Sequence, residues 1–240
     1  MKTDALFGII GAMESEVRHL TSLLQNAETI GIADLTFFTG RIHEKKVVIV
    51  KSGIGKVNAA RCTQLLIDRF QPDAIINTGI AGGLDPALCV GDVVIGTGLL
   101  QHDFDVSAFG HAKGYLCTGA EDDRPTVFSP DKQLVEALAA AAMEHVPAER
   151  VKRGQIATGD LFVSDKGKKQ ELWDDFGASA AEMEGAAIAQ TAFYGQVPFA
   201  VLRVISDQAD GKASESFSTF EEETAALSSA VIKSFLTMKV

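Results

Sequence analysis

Ala74-Ile75-Ile76-Asn77-Thr78-Gly79-Ile80-Ala81-Gly82-Gly83 sets the fold class. The first three residues are a short apolar run, as in a strand buried on both faces. The glycines that follow allow a sharp turn and a close backbone approach. The same unit recurs upstream, where Ala5-Leu6-Phe7-Gly8-Ile9-Ile10 stops at Gly11 and leads into a helix with Val17, Leu20, Leu23 and Leu24 at helical spacing. Further strands are predicted at 36–40, 46–51 (joined near His43-Glu44), 92–95, 151–158 and 199–205. Helices are predicted at 57–70, 166–176 and 184–194. Ser129-Pro130 reads as N-cap and first-turn proline of a helix striped by Leu134, Leu138, Ala141 and Ala142. Ser218-x-x-Glu221 reads as a capping box opening the last helix, with Glu222 and Glu223 in its first turn. Residues 99–128 look irregular, and a loop of that length is usually functional or disordered. The alternation predicts an α/β fold: one domain over residues 1–240, a three-layer α/β/α sandwich around a mixed, mainly parallel sheet.

The bulk numbers narrow the function. A chain of 240 residues with 46% hydrophobic and 22% charged content suits one globular domain that needs neither metal nor disulfides to fold. Its 22 basic and 32 acidic residues leave a formal charge of −10, which repels nucleic acid and anionic membranes. Cys62, Cys89 and Cys117 are odd in number and lack C-x-x-C spacing, which reads as reduced thiols in a cytosolic protein. The histidines show no H-x-H or H-E-x-x-H pattern, and the adjacent His102-Asp103 is a weak metal signal, so no metal is expected. The N-terminus has no signal-peptide pattern, and no apolar run nears the roughly 20 residues of a membrane span, so a cytoplasmic protein is expected.

Ligands of open α/β sheets bind beyond the carboxyl ends of strands. The segments of interest are therefore 11–16, 52–56, 79–83, 159–163, 182–184 and 206–217. Ser52-Gly53-Ile54-Gly55-Lys56 resembles a phosphate loop but fails it, because Val50 and Val57 stand where a Walker loop has glycine and a hydroxyl residue. It reads as a tight strand-to-helix turn, or as one that lets backbone approach a ligand. No G-x-G-x-x-G fingerprint is present. Glu14 and Glu16 project roughly 200° apart on a helix, so one can face a cleft while the other meets solvent. Glu182-Met183-Glu184 lies between a strand and an Ala-rich helix. Arg203-Val204-Ile205-Ser206-Asp207 places charges at the end of an apolar strand, where they must be paired. Each has an ordinary reading, as acids complementing a helix dipole or as an Arg–Asp pair at the sheet margin.

Together these segments, with Lys51–Val57, Asn77–Leu84 and Thr158-Gly159-Asp160, resemble the 5′-methylthioadenosine/S-adenosylhomocysteine nucleosidase family of the nucleoside phosphorylase superfamily, over nearly the whole chain. The resemblance implies a nucleoside phosphorylase-like fold, a cofactor-free and metal-free hydrolase, and a homodimer. It implies that Glu16 activates the attacking water and that Asp207 protonates adenine N7. Glu184 would grip the ribose hydroxyls, Met183 would pack on the sugar, and Glu182 would belong to the same site. Phe162 would stack on adenine, whose edge the Val163 backbone reads. Phe217 would sit near the 5′-thio substituent. Met13, Ile54, Ile80, Val106 and Phe109 would line the pocket, some of them from the partner subunit, while Arg203 supports the ribose and Ser206 the acid. The chemistry is coherent: carboxylates stabilise an oxocarbenium-like ribosyl cation, and an acid neutralises a poor leaving group.

Two positions depart from the family pattern. Ile80 replaces a small hydroxyl residue of the T-G-S-A-G-G turn, and His111 stands near an aromatic of the 5′ pocket, with 113–125 also differing. Both bear on the 5′ substituent more than on the reaction. The competing readings are a phosphorolytic nucleoside phosphorylase, a 6-amino-6-deoxyfutalosine nucleosidase and a non-catalytic nucleoside-binding protein.

Overall fold

In the computed structural model, which describes residues 4–117 and 123–238, ten strands form one sheet in the order β2-β3-β4-β1-β5-β10-β6-β9-β8-β7. The strands are β1 (Leu6–Gly11), β2 (Gln25–Ile32), β3 (Leu35–Ile42), β4 (Lys45–Lys51), β5 (Ala74–Asn77), β6 (Ile80–Gly83), β7 (Val93–Gln101), β8 (Val151–Thr158), β9 (Ala178–Glu182) and β10 (Phe199–Asp207). Pairing is parallel in β1–β4, β1–β5, β5–β10, β6–β10, β7–β8 and β8–β9, and antiparallel in β2–β3, β3–β4, β6–β9 and β7–β10. The sheet is thus mixed and mainly parallel. The β7–β10 pairing closes β10, β6, β9, β8 and β7 into a ring.

Among the described residues the α-helices are α1 (Glu14–Thr21), α2 (Lys56–Phe70), α3 (Lys132–Ala142), α4 (Lys166–Phe176), α5 (Gly185–Tyr194) and α6 (Ala213–Thr237). On one face, Val17 and Leu20 of α1, Leu134 and Leu138 of α3 and Val231 and Phe235 of α6 pack with Phe7, Ile9 and Ile76. On the other, Cys62 and Leu66 of α2 and Ile188 and Ala192 of α5 pack with Ile10, Ile75 and Val201. Alternate residues of β1 and β5 therefore feed opposite layers, as the period-2 geometry of strands requires.

Several expected boundaries move. Leu23 and Leu24 lie beyond α1, and β2 follows directly. The glycine-rich segment after β5 contains a strand, β6. β7 runs on to Gln101 into the segment expected to be irregular, with a register shift between Gly96 and Gly98. Asp131, not Ser129, caps α3, its carboxylate accepting from Gln133 N at 2.9 Å and Leu134 N at 3.0 Å. A carboxylate already placed over two free N–H groups meets the capping requirement. α6 opens at Ala213, so Ser218 is inside it and donates to Ser214 O instead of capping.

Candidate active site

The strand-following segments converge on one largely apolar cavity. Glu16 enters it from the first turn of α1 and is 3% exposed. Its Oε2 accepts from Ala12 N at 2.6 Å and Met13 N at 2.9 Å, and its Oε1 from Ile80 N at 3.1 Å. Gly79 makes this possible, because a Cβ there would run into the Glu16 carboxylate. Burial pushes the Glu16 carboxyl above its usual range, against the charge of Arg203 and the N–H groups of Met13, Ile80 and Ala12. A carboxylate so raised is a stronger proton acceptor. Glu14 faces solvent and pairs with Lys51 at 3.0 Å, as the angular spacing predicts.

Asp207, at the end of β10, is 1% exposed and also lines the cavity. Ala209 N donates to its Oδ1 at 2.8 Å and Ser206 Oγ to its Oδ2 at 2.9 Å. Burial raises the Asp207 carboxyl, with help from Asp210, while the Ala209 N–H, Ser206 and Lys169 oppose. The like charge that assists is that of Asp210. The Ser206 hydroxyl can donate to the carboxylate or, by rotating, accept from the acid.

Glu184 is the third cavity carboxylate, at the N-cap of α5. Gly55 N donates to its Oε1 at 2.8 Å. Gly55 holds φ 96° and ψ 159°, a conformation open essentially to glycine alone. Burial and the charge of Glu182 raise the Glu184 carboxyl, opposed by Arg203 and the Gly55 N–H.

Glu182 is saturated by protein. Thr158 Oγ1 donates to its Oε1, while Glu184 N at 3.1 Å, Gly185 N at 2.7 Å and Arg203 Nη2 donate to its Oε2. Arg203, 1% exposed, also donates to Asn77 Oδ1 at 2.6 Å and Leu202 O at 3.1 Å. The anticipated Arg–Asp pair is replaced by a buried Arg203–Glu182 pair. The reason is geometric: four residues along β10 separate Arg203 from Asp207, about 13 Å of extended chain. Arg203 is thus not on the cavity wall but one layer behind it.

Of the other residues singled out, Met13, Ile54, Ile80, Phe162, Met183, Ser206 and Phe217 line the cavity with the carboxylates. Phe162 and Phe217 meet edge to face at 5.7 Å. Val106, Phe109 and Val163 do not line it. Val163 is buried in an apolar cluster with Leu172 and Phe176. Phe109 is 82% exposed in the short turn Ser107–Phe109. Sequence reasoning missed Ala12, Ala81, Gly82 and Ala181, small residues whose only signal is their position at strand ends. His111 stacks on Tyr115 at 4.4 Å, with Nδ1 2.9 Å from Asp123, away from the cavity wall. Part of the departing segment 113–125, residues 118–122, lies outside the described residues.

Glu16, Glu184 and Asp207, buried at strand ends and each held by at least one backbone N–H, surround a cavity with apposed aromatics and define a site for sugar–base chemistry on a nucleoside phosphorylase-like sheet. The model of the phosphorylase superfamily matches residues 6–237. The 5′-methylthioadenosine/S-adenosylhomocysteine nucleosidase of Staphylococcus aureus strain JH9 is 42% identical over 96% of this chain and 99% of its own. The Neisseria meningitidis nucleosidase of that name, solved in complex with methylthio-immucillin-A, superposes with a TM-score of 0.90 at 40% identity, over 96% of this chain and 98% of its own. A futalosine hydrolase structure from Helicobacter pylori gives a TM-score of 0.88 at 35% identity, over 96% of this chain and 97% of its own. The chain belongs to the phosphorylase superfamily and, within it, to the 5′-methylthioadenosine/S-adenosylhomocysteine nucleosidase family.

Proposed function

We infer that this chain hydrolyses the N-glycosidic bond of 5′-methylthioadenosine and S-adenosylhomocysteine, releasing adenine and the 5′-thio-ribose. The observation that carries the reading is the placement of Glu16, Glu184 and Asp207 around one cavity that also holds Phe162 and Phe217. In this reading Glu16 takes the proton of the attacking water, Asp207 gives one to adenine N7, and Glu184 holds the ribose hydroxyls. Met183 packs on the sugar, Phe162 stacks on the base with the Val163 backbone at its edge, and Phe217 and Ile80 border the substrate. Arg203 acts through Glu182 and by its charge on Glu16 and Glu184. Water is favoured over phosphate as nucleophile, because a phosphate oxygen about 4 Å from the Glu16 carboxylate would be repelled by about 4 kcal/mol at an effective dielectric near 20. The proposed setting is methionine salvage and recycling of S-adenosylmethionine by-products in the cytoplasm, in keeping with the free thiols of Cys62, Cys89 and Cys117.

Adenine release should be measured with methylthioadenosine, S-adenosylhomocysteine and 6-amino-6-deoxyfutalosine side by side. The two thio-nucleosides are expected to give the highest kcat/KM. A clear preference for the deoxyfutalosine substrate would move the chain to the activity of its futalosine hydrolase neighbour.

The functional unit proposed is a homodimer of single-domain chains. Ile54 at 53%, Val57 at 78% and Phe109 at 82% exposure are large apolar surfaces for a monomer. Lys56, beside Val57, bonds to Asp103, at the start of the segment that carries Val106 and Phe109. In this reading Val106 and Phe109, absent from this cavity's wall, complete a neighbour's pocket. Sedimentation is expected to give a dimer, and a fully active monomer would refute this.

A further inference from the structure

Three features have no part in the chemistry above: Lys56, the His102-Asp103 pair and Asp160 of the Thr158-Gly159-Asp160 motif. In the fold they meet. Asp160 Oδ1 accepts from Lys56 N, the first N–H of α2, at 2.8 Å. Asp103 Oδ1 accepts from Lys56 Nζ at 2.6 Å, and Asp103 Oδ2 from Asp160 N at 2.9 Å. Two carboxylates thereby tie together the segments that follow β4, β7 and β8. Close packing supports the knot: His102 N bonds Thr158 O at 2.9 Å, and the His102 ring lies against Gly159, where a Cβ would not fit.

The knot bears on Glu184. Its Oε1 is held by Gly55 N, the peptide just before Lys56 N. One carboxylate thus grips each of two successive N–H groups, Glu184 from α5 and Asp160 from the segment after β8. The same segment carries Phe162 to the cavity. The helix N-terminus that resembles a phosphate loop is filled by an internal anion, as its unpaired N–H groups and dipole favour.

We propose that Asp160 and Asp103 are positioning residues that fix the Gly55 peptide and, through it, orient Glu184 toward the sugar hydroxyls. This rests on the reading of Glu184 as the ribose-holding group. A misplacement of about 1 Å can cost about 100-fold in rate. The loss should fall on substrates that own the hydroxyls Glu184 holds.

The test compares kcat/KM for methylthioadenosine with that for its 2′-deoxy and 3′-deoxy analogues in Asp160→Ala, Asp160→Asn and Glu184→Gln. Glu184→Gln is expected to shrink the preference for the full ribose. Asp160→Ala is expected to shrink it in the same direction, by about tenfold, and Asp160→Asn, which keeps Oδ1 for Lys56 N, to restore it. If Glu184→Gln lowers the preference while Asp160→Ala leaves it unchanged, the positioning role is wrong and the reading of Glu184 stands. If Glu184→Gln itself leaves the preference unchanged, both fall. Should Asp160→Ala not fold, Asp103→Ala removes the carboxylate that ties Asp160 N to the Lys56 ammonium while keeping Asp160 itself. An unchanged preference in that variant would overturn the proposal.

Discussion

Glu16→Gln is expected to lower kcat by about 10²–10⁴-fold, the usual contribution of a positioned base, while adenine and substrate analogues bind within a few-fold of the parent. The amide keeps the shape but cannot take a proton from water. Its fit is nearly, not fully, conserved. Oε2 faces the N–H groups of Ala12 and Met13 while Oε1 faces Ile80 N. An amide can satisfy only one side, and leaving a buried N–H unpaired costs about 1–3 kcal/mol. Removing a buried carboxylate that burial disfavours offsets part of that. Isothermal binding with adenine, alongside single-turnover rates, separates a lost base from a lost pocket. Turnover within tenfold of the parent would show that Glu16 is only a helix-capping acid.

Asp207→Asn is expected to cause a comparable loss of kcat with a much smaller change in KM, because the amide can hydrogen-bond N7 but cannot transfer a proton. The loss should shrink for a nitrophenyl riboside, whose leaving group departs without protonation. Equal losses on the two substrates would leave Asp207 as a structural anchor for Ala209 N and Ser206 Oγ. Asp207 must be protonated to act, and its carboxyl is raised mainly by burial. Deprotonation of Asp207 should therefore give the alkaline limb of the kcat profile, and Asp207→Asn should flatten it. The same shift sets a sign on stability. Above the ordinary Asp value of about 3.9 the folded state binds more protons here than the unfolded chain. The contribution of this group is full below that value and is lost as pH rises through its raised folded value. Thermal melts of Asp207→Asn should thus fall less between mildly acidic and mildly alkaline pH than those of the parent.

The carboxylates were legible because each follows a strand, where the backbone must turn and a ligand can approach. Angular spacing showed that only one of Glu14 and Glu16 can face a cleft, and the family resemblance pointed to Glu16. Other features left little trace. Every residue of β2 from Gln25 to Gly31 is exposed, so it shows no buried alternation and is held by pairing with β3 and by Ile32 against the core. β6 is hidden in the glycines that let it pass close to Asp207 and Ala209. The partner of Arg203 could not be read from the sequence: Glu182 lies 21 residues away and reaches it only because β9 and β10 flank β6. Likewise Asp160 and Lys56, 104 residues apart, meet only through the order of the strands. Composition and spacing identify groups at strand ends, while partner choice across the sheet depends on topology.

The most direct measurement is the identity of the sugar product formed from methylthioadenosine with and without added phosphate, followed by adenine absorbance and phosphorus NMR. Hydrolysis directed by Glu16 gives adenine and free 5-methylthioribose at the same rate in both buffers. Adenine release that requires phosphate and yields a sugar 1-phosphate would contradict it.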